Sequence, residues 1–235
     1  MKVRVKFRKN GVMKFIGHLD IMRYFQKAIR RAELPAAFSG GYSPHMIMSF
    51  ANPLGVGLTS DGEYFDMELT ERVSTAEAVR RLNAVMVEGV EVINVVEIPD
   101  SKKETGMAIV AAADYLISCD VPEEIFAEES LAAFFSQEEI LIEKETKKSK
   151  KLLNIRTMIY RIERRGKELY LLLSAGSKEN LKPSLVMEAY LNWLHREKES
   201  VRFTYHRLET YALVAGEKEG EEQLAPLDAL GTRIE

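Results

Sequence analysis

Apolar and polar residues alternate strictly at the start of the chain: Val3, Val5 and Phe7 interleave with Lys2, Arg4, Lys6 and Arg8. Such alternation predicts a strand with an apolar inner face and a basic outer face. Asn10-Gly11 is a turn signal. The period then changes. Leu19, Met22, Phe25, Ala28, Ile29 and Ala32 recur at helical spacing, predicting a helix over 19–33 that Pro35 ends. Asp20 falls in its first turn, at the positive end of the helix dipole. Strands follow at 36–38, 46–50 and 64–69, a helix at 75–86 behind the Ser74…Glu77 capping pattern, and a strand at 90–98. The element order over 1–98 is β-α-β-β-α-β.

The order then recurs. After a stretch at 99–113 with linker composition come a strand at 115–121 and helical sequence at 123–135, broken near 128–130. A strand at 140–145 and a hairpin around Arg164-Arg165-Gly166-Lys167 follow. A helix at 182–195 opening near Pro183 and a strand at 201–213 complete it. The pattern predicts an α+β protein of two tandem ferredoxin-like (βαββαβ) domains in a RAMP-like arrangement. The domains span 1–98 and 114–215, the second with an extra strand. A linker at 99–113 and a poorly ordered acidic tail at 216–235 flank the second domain.

Composition narrows the function. The 235 residues allow one large domain or two small ones. No apolar run is long enough to span a membrane and the charged N-terminus lacks a signal-peptide core, which predicts a cytoplasmic protein. The single cysteine, Cys119, excludes an internal disulfide framework and any multi-cysteine zinc or iron–sulfur site within the chain. The net charge of -3 conceals two basic islands. Residues 1–50 hold ten Lys/Arg against two acids, and residues 144–167 again ten against two, on an otherwise acidic body. Such asymmetry points to a polyanion partner, unless the basic strand faces merely complement acidic elements of the same protein.

The densest polar cluster is His18, Asp20, Arg23, Ser39, Tyr42 and His45, spread over a loop-to-helix junction and the loop Gly40-Gly41-Tyr42-Ser43-Pro44-His45. His18, Asp20 and His45 are the catalytic candidates. Candidates for holding RNA phosphates are Arg4, Lys6, Lys14, Arg23, Lys27, Arg30 and Arg31, with Ser39 and a base-stacking Tyr42 beside them. Lys147, Lys148, Lys150 and Lys151, in a run expected to form a flexible loop, extend the set. Phe7, Phe50 and Trp193 read as core, and Cys119 as a small buried hydrophobe. No HxH, HExxH or CxxC spacing, no GxSxG elbow and no phosphate-loop fingerprint is present, so no metal site and no cofactor are expected in this chain.

The segments Lys9–Arg23, Arg30–Pro35, Ser39–His45, Ser49-Phe50-Ala51 and Pro53-Leu54-Gly55-Val56-Gly57 together resemble the radical-SAM-linked family of bacterial proteins, which carries a domain of unknown function. The resemblance is dense over 1–70 and looser to about 213. The family usually has Phe at position 42 and Ser at position 17; Tyr42 and Gly17 depart from it, and Gly17 removes a hydroxyl cap from the helix. The resemblance implies a link to a radical-SAM enzyme and a setting among RNA-processing functions. Radical-SAM clusters need three cysteines, so this chain would be the accessory part. The expectation is an RNA-binding accessory protein for a radical-SAM RNA-modifying enzyme, with RNA and that enzyme as partners, and no membrane. Two alternatives stay open. One is a metal-independent RNA endonuclease using His18 and His45 as general acid and base with Arg23 steadying the phosphorane. The other is an adaptor that docks the radical-SAM protein without RNA.

Overall fold

The computed structural model describes residues 1–146, 149–216, 218 and 220–235, and of 144–146 and 149–151 the backbone alone. The first half comprises β1 (Lys2–Lys9), α1 (His18–Arg31), β2 (Met48–Phe50), β3 (Thr59–Glu68), α2 (Thr75–Asn83) and β4 (Val90–Ile98). The second begins with α3 (Gly106–Ile109), β5 (Val110–Cys119), α4 (Pro122–Ile125) and α5 (Glu128–Phe135). It continues through β6 (Leu141–Thr146), β7 (Ser149–Asn154), β8 (Ile159–Arg165), β9 (Glu168–Ser174), α6 (Pro183–Trp193) and β10 (Phe203–Ala215). The chain closes with β11 (Glu222–Pro226) and β12 (Thr232–Arg233).

This is a mixed α+β protein built on one large, mostly antiparallel sheet of order β12-β4-β1-β3-β10-β5-β9-β8, with β6 and β7 forming a separate hairpin. The first half runs β4-β1-β3-β2 and the second β10-β5-β9-β8, with antiparallel neighbours throughout. The halves join where β10 pairs in parallel with β3, through His206↔Thr59 and Arg207↔Ser60. Gly62 permits this join: a Cβ there would lie 2.6 Å from the Glu209 Cα.

Each half has its own core. The apolar face of β1 meets α1, whose Ile21, Phe25, Ala28 and Ile29 are buried. Phe25 sits 4.7 Å from Phe7 and 4.8 Å from Phe65, ring centre to ring centre. Each such phenylalanine contributes about 1.5–3 kcal/mol by leaving water. The second core gathers Phe126, Phe134 and Tyr190. Phe7 and Phe50 are core residues as expected, while Trp193 and Cys119 are partly buried against the second core.

Four expectations are corrected. The basic face of β1 is not an open surface at its centre: the return of the chain covers it there, Arg4 is buried and Lys6 nearly so, while Arg8 at the strand's end stays exposed. Residues 36–38 make only isolated bridges, Ala36↔Leu69 and Phe38↔Met46. The stretch 99–113 is not all linker, since α3 and the start of β5 lie within it. The tail is built into the fold: β12 pairs with β4, Leu227 is buried in the second core and Ile234 in the first. Its isolated apolar residues, too few to show a period, are what anchor it.

Candidate nucleic-acid interface

The candidate residues fall into two groups with opposite environments. On β1, Arg4 grips Asp66 in a fork (Nε–Oδ1 2.8 Å, Nη2–Oδ2 3.1 Å) and donates to the carbonyls of Leu227 and Glu104. Lys6 Nζ meets Glu209 and, at 3.5 Å, Asp228. The Tyr64 hydroxyl lies 2.7 Å from Glu209 Oε1 and 2.8 Å from Asp228 Oδ1, and Asn94 donates to the other oxygen of Asp228. Burial beside two carboxylates pushes the Tyr64 hydroxyl well above the usual tyrosine range. These cations are spent inside the protein and cannot hold an RNA phosphate.

On α1 the picture reverses. Arg23, Lys27, Arg30 and Arg31 are all exposed on the helix face opposite its buried stripe. Arg23 makes one loose pair with Asp20 at 3.4 Å, Arg30 lies over the Phe38 ring, and Arg31 donates to the Val85 carbonyl. Arg80 and Arg81 of α2 border the same end, both tied to Glu77. Lys14 sits over the exposed Phe15 ring.

The 39–45 loop is closed by the backbone bond from Ser39 N–H to the His45 carbonyl, at 2.8 Å, and by the Ser39 side chain. The Ser39 hydroxyl accepts from His45 N at 3.1 Å and lies 2.8 Å from His45 Nδ1. When the hydroxyl donates there, the neutral ring carries its proton on Nε2. Tyr42 at the loop tip is fully exposed. His18 is the first residue of α1, behind Gly17, which supplies no side-chain cap. Its ring packs edge-on to Phe50, and its Nδ1 is buried without a partner among the described residues. Burial holds the His18 imidazole below its usual pKa. Among the described residues no hydrogen bond or ring contact joins His18 to His45, and no group of three metal-ligating side chains forms. Lys147 and Lys148 lie outside the described residues, as do the side chains of Lys150 and Lys151. The backbone of 150 and 151 is strand, not loop.

Sequence reasoning missed a cleft of about 520 Å³ between the halves. Its mouth is the 53–57 loop, exposed at Pro53 and at Gly55-Val56-Gly57 with Leu54 buried, and positioned by Gly57, whose N–H donates to the Lys14 carbonyl and whose φ of 91° suits glycine. The start of α6 forms the opposite lip, with Lys182 and Ser184 exposed. Arg207 of β10 lines it, donating to Glu63 Oε1 and the Asn52 carbonyl, each at 2.8 Å, and to the Tyr115 hydroxyl at 3.3 Å. The turn-rich 52–57 segment and Pro183 are visible in sequence. Their meeting depends on the β3–β10 join, which no local pattern announces.

The chain belongs to a bacterial family described as "Uncharacterized protein conserved in bacteria (DUF2344)", which matches residues 2–183. No protein of curated function matches it. Among solved structures, a chain from the crystal structure of a Cbf5-Nop10-Gar1 complex is similar at 12% identity and a TM-score of 0.47, over 88% of this chain and 48% of that one. The chain thus spans about half the length of that neighbour. No helix among the described residues is long and apolar enough to cross a membrane.

Proposed function

We propose that this protein binds RNA through the outer face of α1 and the 39–45 loop, as the accessory partner of a radical-SAM enzyme that modifies RNA. The observation that carries the RNA reading is the exposed row Arg23, Lys27, Arg30 and Arg31, which has among the described residues one loose carboxylate partner, Asp20, next to cations that are otherwise paired off. A helix face of four exposed cations attracts phosphates without reading sequence. Tyr42 at the loop tip offers a base-stacking surface. The radical-SAM link rests on the resemblance of the segments between residues 9 and 57, and one cysteine suits the accessory role. The repeated strand orders, β4-β1-β3-β2 and β10-β5-β9-β8, support a tandem of ferredoxin-like units with the β6–β7 hairpin inserted in the second.

The test is binding of nucleic-acid-free protein to single-stranded RNA as a function of salt. Each neutralised phosphate adds about 0.7 to the slope of log K against log salt, so replacing Arg23, Lys27, Arg30 and Arg31 with Ala should lower it by up to about 3. An unchanged slope, or no binding at low salt, removes the proposal.

A further inference from the structure

The cleft between the halves is lined by fifteen residues, none of them acidic, in a protein with 36 acids. Its polar lining is rich in donors, with Arg207, Lys182 and the side-chain amides of Asn52 and Asn180. Arg207 is 4% exposed, and its Nε has no hydrogen-bond partner among the described residues. The Asn52 Nδ2 is likewise a buried donor without an acceptor. Buried donors are almost always paired, so two orphans behind one wall make that wall donor-rich, the complement of a ligand rich in acceptors.

The local charge agrees. Arg207 is paired with Glu63, and the buried Lys9 also interacts electrostatically with both. Arginine stays protonated, so the trio keeps one net positive charge whether the remaining proton sits on Lys9 or on Glu63. Lys182 adds a second cation at the rim, and the N-terminal end of α6, eleven residues long, adds its dipole. The walls are of another kind: Val56, Leu58 and Leu181 are aliphatic, and Phe203 and Tyr205 are aromatic. A volume of about 520 Å³ falls within the range of small-molecule sites, roughly 300–1,000 Å³.

We propose that this cleft binds a nucleoside 5′-monophosphate, either free or as the first residue of an RNA strand, with its phosphate toward Arg207, Asn52 and Lys182 and its base against the aromatic wall. The site is separate from the α1 face and does not depend on the RNA reading above.

Calorimetric titration of the full chain with AMP, GMP, CMP and UMP tests it, with the matching nucleosides, inorganic phosphate and a 5′-phosphorylated dinucleotide as further arms. Saturable binding of at least one monophosphate is expected, with its nucleoside and inorganic phosphate each much weaker. Binding of the dinucleotide as well assigns the site to strand ends; its exclusion assigns the site to a free nucleotide. Val56→Trp, at an exposed position on the mouth, should abolish binding, and Lys182→Ala should weaken it about tenfold, the value of one charge-assisted contact. Both positions are exposed, so neither variant threatens the fold. The α1 variant with four alanines should bind monophosphates normally, which separates failure of this site from failure of the RNA surface. Absence of binding by every monophosphate, wild-type binding in Val56→Trp, or nucleoside binding as tight as nucleotide would overturn the proposal.

Discussion

The first fifty residues carry two rows of cations, and the fold treats them in opposite ways. Arg4 and Lys6 on β1 face Asp66, Glu209 and Asp228, carboxylates brought from far along the chain. Arg23, Lys27, Arg30 and Arg31 on α1 face solvent, with one loose carboxylate partner among them. The difference lies in what covers each face. A basic strand face covered by the returning tail and the 99–105 segment must be neutralised, because an unpaired buried charge costs several kcal/mol. A basic helix face that nothing covers can stay charged. Local density of Lys and Arg does not tell which row is which: β1 has five in eight residues and α1 four in fourteen, yet the denser row is the one that holds the buried Arg4 and the nearly buried Lys6.

Breaking the buried row should therefore have the largest effect. Arg4→Ala leaves Asp66 without its forked partner, and also strips a donor from the carbonyls of Leu227 and Glu104 that tie the tail and the 99–105 segment down. A loss of about 3–5 kcal/mol is expected in denaturant unfolding. A variant as stable as wild type would mean that these bonds do not hold the tail and the 99–105 segment in place.

The next effect concerns the geometry of the join. Gly62→Ala places a Cβ within 3.0 Å of backbone atoms of Leu208 and Glu209, which have no flexible end to give. Overpacking of this kind costs about 1–3 kcal/mol. The loss should appear as faster exchange of the amides near the β3–β10 pairing, with the separate cores of the two halves less affected.

These residues also show what a sequence can and cannot reveal. Local elements were legible: the strand at 90–98 falls where predicted, α6 lies within its predicted span, and α1 starts one residue before and ends two before its predicted bounds, because the apolar spacing of each helix is set by its own core. The tail was not, since two buried side chains, Leu227 and Ile234, hold it through partners distant in the chain. The polar cluster of the first fifty residues was legible as a list but not as an arrangement. Arg207 was invisible because its role comes from the cleft that forms around it, and a single arginine in an alternating strand has no local signature.

The exposed row gives the smaller effects. Replacing Arg23, Lys27, Arg30 and Arg31 with Ala should leave stability within about 0.5 kcal/mol per site, since surface charges contribute little. Thermal unfolding of this variant beside Arg4→Ala puts the two rows on one scale. A large destabilisation from the α1 variant would show that its cations hold structure and are not kept free for a partner.

The smallest effect is a matter of pH. His18 lies between the two regions, its Nδ1 buried against the core and its helix facing out. Burial lowers its pKa below the ordinary value near 6.5, so the unfolded chain takes up a proton that the folded one refuses. The stability due to the neutral ring is complete above the unfolded value and is lost as pH falls from there through the lowered folded value. His18→Gln removes the titration while keeping a polar side chain at the start of α1. The difference in stability between wild type and variant should thus shift in the variant's favour as pH falls through this window. A constant difference would mean that the ring is as well solvated as in the unfolded chain, and that the partnerless nitrogen finds water on its own side of the helix.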